Sequence, residues 1–351
     1  MKLPYTLAAL TLLAAPVIAQ ENGVSFSHKD WEMVCDNTLT CRAAGYSTEE
    51  TEEGTGGSVL LTRKAGPDSA VAGEVVLADT ESDDNATSGT LMLWINDQPA
   101  GALKAAEDDR WTLTTAQTQA LIKAVKGSGK VEVKEGRTPF VLSGNGATAV
   151  LLKMDDVQGR IGTPGAFIKK GDKPESSVHA AVPAPVIQAV KVTPGETRTL
   201  SKADADALKP QLLATLNKDA QCDRLQPAEG DAQEGDGDIT VTPLDARHVL
   251  ASTLCWRGAY NEGYGYWVIA NTPDAKPVLV TESATDYSDG VIAMGQKGRG
   301  LGDCWATASW VWDGTAFRLS HESTTGMCRY LRLGGTWDLP TWVADVKPAA
   351  K

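Results

Sequence analysis

Six cysteines are the residues whose type and spacing first suggest chemistry: Cys35, Cys41, Cys222, Cys255, Cys304 and Cys328. An even count reads, in an oxidising compartment, as a set of disulfides. Local pairing gives Cys35–Cys41, Cys222–Cys255 and Cys304–Cys328. Only the first is favoured strongly by its short loop, and the connectivity of the four C-terminal cysteines stays open. The chain has no Cys-x-x-Cys, so neither a thioredoxin-like redox site nor a zinc ribbon is expected.

Other groups capable of chemistry fall away on spacing. Gly302-Asp303-Cys304-Trp305-Ala306 echoes the nucleophile segment of papain-like proteases, but too little chain follows for the required histidine, and a disulfide-bonded cysteine is no nucleophile. His28, His179, His248 and His321 hold no metal-ligand spacing with one another or with cysteine, and no Gly-x-Ser-x-Gly elbow is present. Asp231, Glu234, Asp236 and Asp238 do not follow an EF-hand. Arg299-Gly300-Leu301-Gly302 is no phosphate loop. Asp155 and Asp156 point to different helix faces and make no acid/base pair. The reading is therefore no catalytic residue, no metal and no cofactor.

What remains is the aromatic density of the C-terminal half. Trp256, Tyr260, Tyr264 and Tyr266 share parity, and Trp267 follows. On a strand, shared parity puts rings on one face, where they could stack on sugars or anchor a protein. Tyr260, Tyr264, Tyr266 and Trp267 are the candidate binding residues. The competing reading is a packed β core, and Gly258, Gly263 and Gly265 could break the parity with a bulge or turn.

The elements that would position these groups are mostly strands. Met1-Lys2, the apolar run Leu7–Leu13 and Val17-Ile18-Ala19 have the plan of a signal peptide over 1–19, with Gln20 as the mature start. Residues 20–170 read as a β-rich domain with two short helices. Thr114 with Gln117 is a capping box, and Asn145-Gly146 opens the second helix. Residues 171–190, rich in Pro, Ala and Lys, read as an extended linker. A second β domain is expected over 191–346, with a helix starting at Ser201 that Pro210 should bend or divide. Its strand candidates run to 327–333, and Asp313-Gly314 is the best hairpin turn. A two-residue loop there would set Trp310 opposite Phe317. The fold class is mainly β with a few helices (α+β), in two antiparallel β-rich domains. The net charge of −12 argues against nucleic acid and against anionic lipid, and no later stretch is apolar enough for membrane insertion after signal cleavage.

Asp30-Trp31-Glu32-x-x-Cys35-Asp36-Asn37-x-x-x-Cys41-Arg42-Ala43 resembles the opening of a family of exported bacterial proteins known as domain of unknown function 1176. Cys255-Trp256-Arg257-Gly258-Ala259-Tyr260-Asn261, Arg299-Gly300-Leu301-Gly302-Asp303-Cys304, Trp312-Asp313-Gly314-x-x-Phe317 and Cys328-Arg329 extend the likeness over nearly the whole mature chain. The opening string is also similar to invasion-associated locus B proteins. The resemblance implies an envelope protein and supplies no catalytic residue. The expectation is a periplasmic or secreted, non-enzymatic protein that binds or scaffolds another envelope component, an envelope protein or glycan. The competing expectations are a hydrolase of wall or envelope polymers and a lysozyme-inhibitor-like protein. Acidic loops at Glu49–Glu53 and Asp231–Asp238 would suit the latter.

Overall fold

The computed structural model describes residues 23–48, 56–78, 90–134, 140–228 and 230–349. The signal segment, Gln20 and the acidic run Glu49–Glu53 lie outside the described residues. The chain is mainly β, with three α-helices among the described residues.

The largest sheet has seven antiparallel strands, in the spatial order Val24–His28, Trp31–Cys35, Cys41–Tyr46, Gly57–Arg63, Val71–Leu77, Arg110–Leu113 and Lys104–Ala105. Successive side chains alternate faces, and here both faces are covered. Met33, Ala43, Leu61 and Val75 pack on one side with helix α1 (Thr115–Val125), helix α2 (Ala147–Val157) and a four-stranded sheet. Their neighbours Val34, Ala44, Leu60 and Val76 pack on the other side against Leu331, Trp337 and Leu339, from the far end of the chain. The expected capping box is present at α1, where Gln117 N donates to Thr114 Oγ1 and Thr114 N donates to Gln117 Oε1. Gly146, at φ 98°, opens α2. Its backbone passes so close to His28 O that a Cβ would collide, so two constraints select glycine.

Two five-stranded antiparallel sheets make up most of the C-terminal half. Tyr266, Val268 and Ala284 of one meet Ile292, Trp312 and Phe317 of the other. The opposite face of the first carries Trp267 and Cys255 and packs under helix α3 (Lys202–Leu213). Ser201 caps α3 by accepting from Asp204 N. The helix runs through Pro210 without dividing, so of the two expected outcomes the division is not observed. Ala214 N still donates to Pro210 O, and Leu212 is buried below.

Two local expectations are corrected. Asp313-Gly314 sits in a four-residue loop in which Asp313 N donates to Ala316 O, so Trp312 rather than Trp310 faces Phe317, with ring centroids 5.3 Å apart. Asp313 Oδ1 accepts from the N–H groups of Thr315 and Ala316, which lengthens the loop. Residues 327–333 form no strand; the next strand is Leu339–Val343. The hydrogen bonds of that stretch go to the first sheet, its loops and the 298–304 loop instead of to a ladder.

Residues 171–190, read above as a linker, carry one short 3-10 turn at Glu175–Ser177 and a short strand at Val186–Gln188. His179 N donates to Gln158 O, Val182 N to Thr38 O and Val190 N to Trp312 O. Ile187 is buried beside the strand Asp345–Lys347, with which it pairs in parallel.

Candidate functional site

All six cysteines are paired, as Cys35–Cys41, Cys222–Cys255 and Cys304–Cys328. Asp303 lies beside the Cys304–Cys328 pair, but both sulfurs are committed to the disulfide and offer no thiolate to a metal.

The aromatic residues divide sharply. None of the ten tryptophans is exposed. Trp267 is wholly buried and its Nε1 donates to Thr215 Oγ1 at 2.7 Å. Gly265 leaves room for its ring, since a Cβ there would collide with it. Tyr266 is buried on the opposite face, between the two five-stranded sheets, where desolvation pushes its phenol up to about 12. Neither offers a ring to a partner. Tyr264 is half-buried at the edge of the same layer. A bulge between Leu254 and Trp256 and a turn at Ala259-Tyr260 break the shared parity. Only Tyr260 of the four stands open, at 49% exposure.

Around Tyr260 the strings that carry the family resemblance converge. Asn261 Nδ2 donates to Lys297 O and Lys297 N donates to Asn261 Oδ1, both at 2.9 Å. That pair of hydrogen bonds sets the Tyr260 turn against the 298–304 loop, where the ring lies over Gly300. Arg299 holds Asp303 through two hydrogen bonds, at 2.7 and 2.5 Å. Asp303 Oδ2 also accepts from Tyr330 N at 2.8 Å. Burial pushes the Asp303 carboxyl up, but the Arg299 guanidinium and the Tyr330 N–H outweigh it and hold the group below the usual carboxylate range. The Arg299 guanidinium stacks 3.9 Å from the Tyr330 ring centre. The disulfide and a Gly334 N to Gly302 O bond tie the 298–304 and 326–335 loops together.

The 327–333 stretch is pinned from below. Arg329 Nη2 donates to Asp30 Oδ1 at 3.0 Å, and Asp30 Oδ2 accepts from Ser143 Oγ at 2.6 Å. Arg332 donates to the carbonyls of Asp108 and Asp109 at 2.9 and 2.6 Å. Leu331 is buried on the seven-stranded sheet. With those side chains committed inward, Tyr330 and Leu333 are turned out, at 43% and 82% exposure, near Leu301 at 50%. Tyr330 holds φ at 56°, a backbone region that a bulky residue occupies only when its surroundings impose it, and one that often marks a functional position. Sequence parity could not find Tyr330, Leu301 or Leu333, because none lies on a strand.

The surface so built has two rings, two leucines and an internally satisfied Arg–Asp pair. No serine, threonine, cysteine, lysine or histidine stands among them. Elsewhere, Asp338 contacts both His321 and Ser323. That order sets the carboxylate between the other two, whereas a serine nucleophile needs the histidine there. In the acidic loop, Asp236 accepts from Arg224 Nη1 and Gln233 N, both at 2.9 Å, so it is turned inward.

Among the described residues no helix is long and apolar enough to cross a membrane. A search of curated proteins finds the Uncharacterized protein YpfG of Escherichia coli (strain K12), 25% identical over 326 residues, which is 85% of this chain and 87% of that protein. No solved structure matches. These matches carry the unknown-function resemblance and not the one to invasion-associated locus B proteins. The family model matches residues 25–344, and the chain belongs to the family described as Protein of unknown function (DUF1176).

Proposed function

We propose that this is a non-enzymatic envelope protein that binds a protein partner through the loop surface formed by Tyr260, Leu301, Tyr330 and Leu333. The observation that supports it best is the outward turn of Tyr330 and Leu333 from a stretch whose other side chains are anchored inward. Exposed tyrosine at the centre of a rigid patch is typical of residues that dominate protein interfaces. A disulfide and a buried ion pair pre-organise the patch, which lowers the ordering entropy lost on binding. Two leucines beside the rings suit a protein better than a glycan, whose hydroxyls would need polar partners that Asp303 and Arg299 already use on each other.

A photo-crosslinking residue placed at Leu333, in cells, tests this directly. One discrete adduct should form, and Tyr330→Ala should abolish it with the melting temperature kept. The control position is Val278, 61% exposed on an edge strand. The same adducts from Val278 as from Leu333, or none from Leu333, would refute the assignment. An adduct with a glycan instead of a protein would also refute it.

A further inference from the structure

A second feature, remote in sequence from the loop surface, is an open cavity of about 590 Å³ alongside α1. Its walls come from α1, from residues 69–71 beside the strand Gly57–Arg63, and from the 165–170 loop. Among the described residues four cations line it, namely Arg63, Lys123, Lys126 and Lys170, and no carboxylate does. In a chain of net charge −12 this concentration runs against the overall balance.

These cations find mainly neutral partners. Lys126 Nζ donates to Phe167 O, Lys170 Nζ to Pro164 O and Arg63 Nη2 to Gly165 O, at 2.5, 2.9 and 2.7 Å. Each bond satisfies a loop carbonyl and neutralises no charge. Arg63 is buried, with 5% exposure, and its Nε and Nη1 make no hydrogen bond. Behind it Asp155 stands 3.6 Å from Nη1 and offsets one of these positive charges, while its other oxygen accepts from the N–H groups of Phe167 and Ile168. Burial, followed by the nearby Arg160, holds the Arg63 guanidinium down to about 10. Burial and then Lys170 hold the Lys126 ammonium below its ordinary value. The cluster thus carries excess positive charge in a partly desolvated setting, where an anion would gain most. Val71, Ile122 and Phe167 supply apolar wall.

We infer that this cavity binds a small organic anion, a molecule with one carboxylate, sulfonate or phosphate group and an apolar body. The anionic group sits against Lys123, Lys126 and Lys170 with Arg63 behind, and the body lies on Val71, Ile122 and Phe167. The volume fits the range of small-molecule sites.

Two fluorescent probes of similar size test the claim: 8-anilinonaphthalene-1-sulfonate, an apolar anion, and N-phenyl-1-naphthylamine, its uncharged counterpart. The anion should saturate one site per chain. Its affinity should fall about tenfold or more in the double variant Lys123→Met with Lys170→Met. Both lysines are exposed, so the melting temperature should hold. Leu333→Ser should leave anion binding unchanged. Absence of saturable binding, equal affinity in the double variant, equal binding of the neutral probe, or loss of binding in Leu333→Ser would each overturn the assignment.

Discussion

Trp337 Nε1 donates a hydrogen bond to Ser58 Oγ at 2.8 Å, across 279 positions of sequence, with both residues buried. Ser58 Oγ in turn donates to Gly45 O at 2.8 Å. The Arg110 guanidinium lies 5.1 Å from the Trp337 ring centre. A side chain from the end of the chain thus closes the outer face of the first sheet. Trp337→Ala should cost about 3–5 kcal/mol, the range for truncating a large buried aromatic. Trp337→Phe keeps much of the packing and loses one hydrogen bond, so its loss should be smaller, with about 1 kcal/mol from the bond itself. Urea denaturation measures both. A loss under about 1 kcal/mol for the alanine variant would show that this face does not depend on Trp337.

The contrast between neighbouring aromatics gives a second expectation. Trp267→Ala removes a wholly buried ring and its hydrogen bond to Thr215 Oγ1; it should destabilise by about 3–5 kcal/mol. Tyr260→Ala removes a ring that is half open to solvent, and should stay within about 1 kcal/mol of the parent. Thermal unfolding of the two variants decides the matter. Equal losses would mean that the Tyr260 turn is part of the core.

The same pair shows how far sequence could be read. Capping at Thr114 and Ser201 was legible because it is chemistry between residues three apart. The strands Gly57–Arg63 and His248–Arg257 are apolar runs bounded by turn residues, a local pattern that sequence displays directly. Parity failed at Tyr266 and Trp267 because both faces of their sheet are covered, one by α3 and one by the second sheet. Consecutive residues are then both buried, and alternation no longer separates core from surface. Residues 327–333 look like a strand from composition, yet Arg329 and Arg332 bind partners about 200 to 300 positions away. No local pattern encodes such partners. The exposed Tyr330 was hidden for the same reason.

Glu32 sets a pH dependence. Its Oε1 accepts from Tyr46 Oη at 2.6 Å and from Met327 N at 2.7 Å. Burial still pushes its carboxyl above the ordinary value of 4.5, and these bonds offset the rise only in part. A raised carboxyl pKa means that folding favours the protonated form. Its stabilising contribution is complete below the unfolded-state value and is lost as pH rises through the folded-state value. Glu32→Gln keeps an accepting oxygen and carries no charge, so this part of the pH dependence should vanish. Relative to the parent, the variant should gain stability between about pH 4 and pH 7. Denaturation curves at the two pH values measure it. A variant that loses ground to the parent as pH rises would show that the ionised carboxylate is favoured in the fold.

The Cys304–Cys328 disulfide should matter to recognition more than its share of stability implies. It spans 24 positions, against 6 for Cys35–Cys41. Chain entropy gives about 3.5 kcal/mol for the longer loop and about 2.4 kcal/mol for the shorter. Replacing either pair by alanine should therefore lower the melting temperature by comparable amounts. Their consequences for the loop surface should differ. Gly298 packs against both Cys304 and Cys328 sulfurs, and the bond joins the loop of Arg299 and Asp303 to the stretch that carries Tyr330 and Leu333. Without it, the tie between the two loops rests on the Tyr330–Asp303 contact, the Arg299 stack and the Gly334 N to Gly302 O bond, and the strained Tyr330 backbone can relax. Crosslinking from Leu333 should then fall steeply in the Cys304→Ala, Cys328→Ala variant, below its melting temperature. The Cys35→Ala, Cys41→Ala variant should crosslink as the parent does. Equal crosslinking from both variants would mean that the non-covalent anchors of the 327–333 stretch organise the surface without the disulfide.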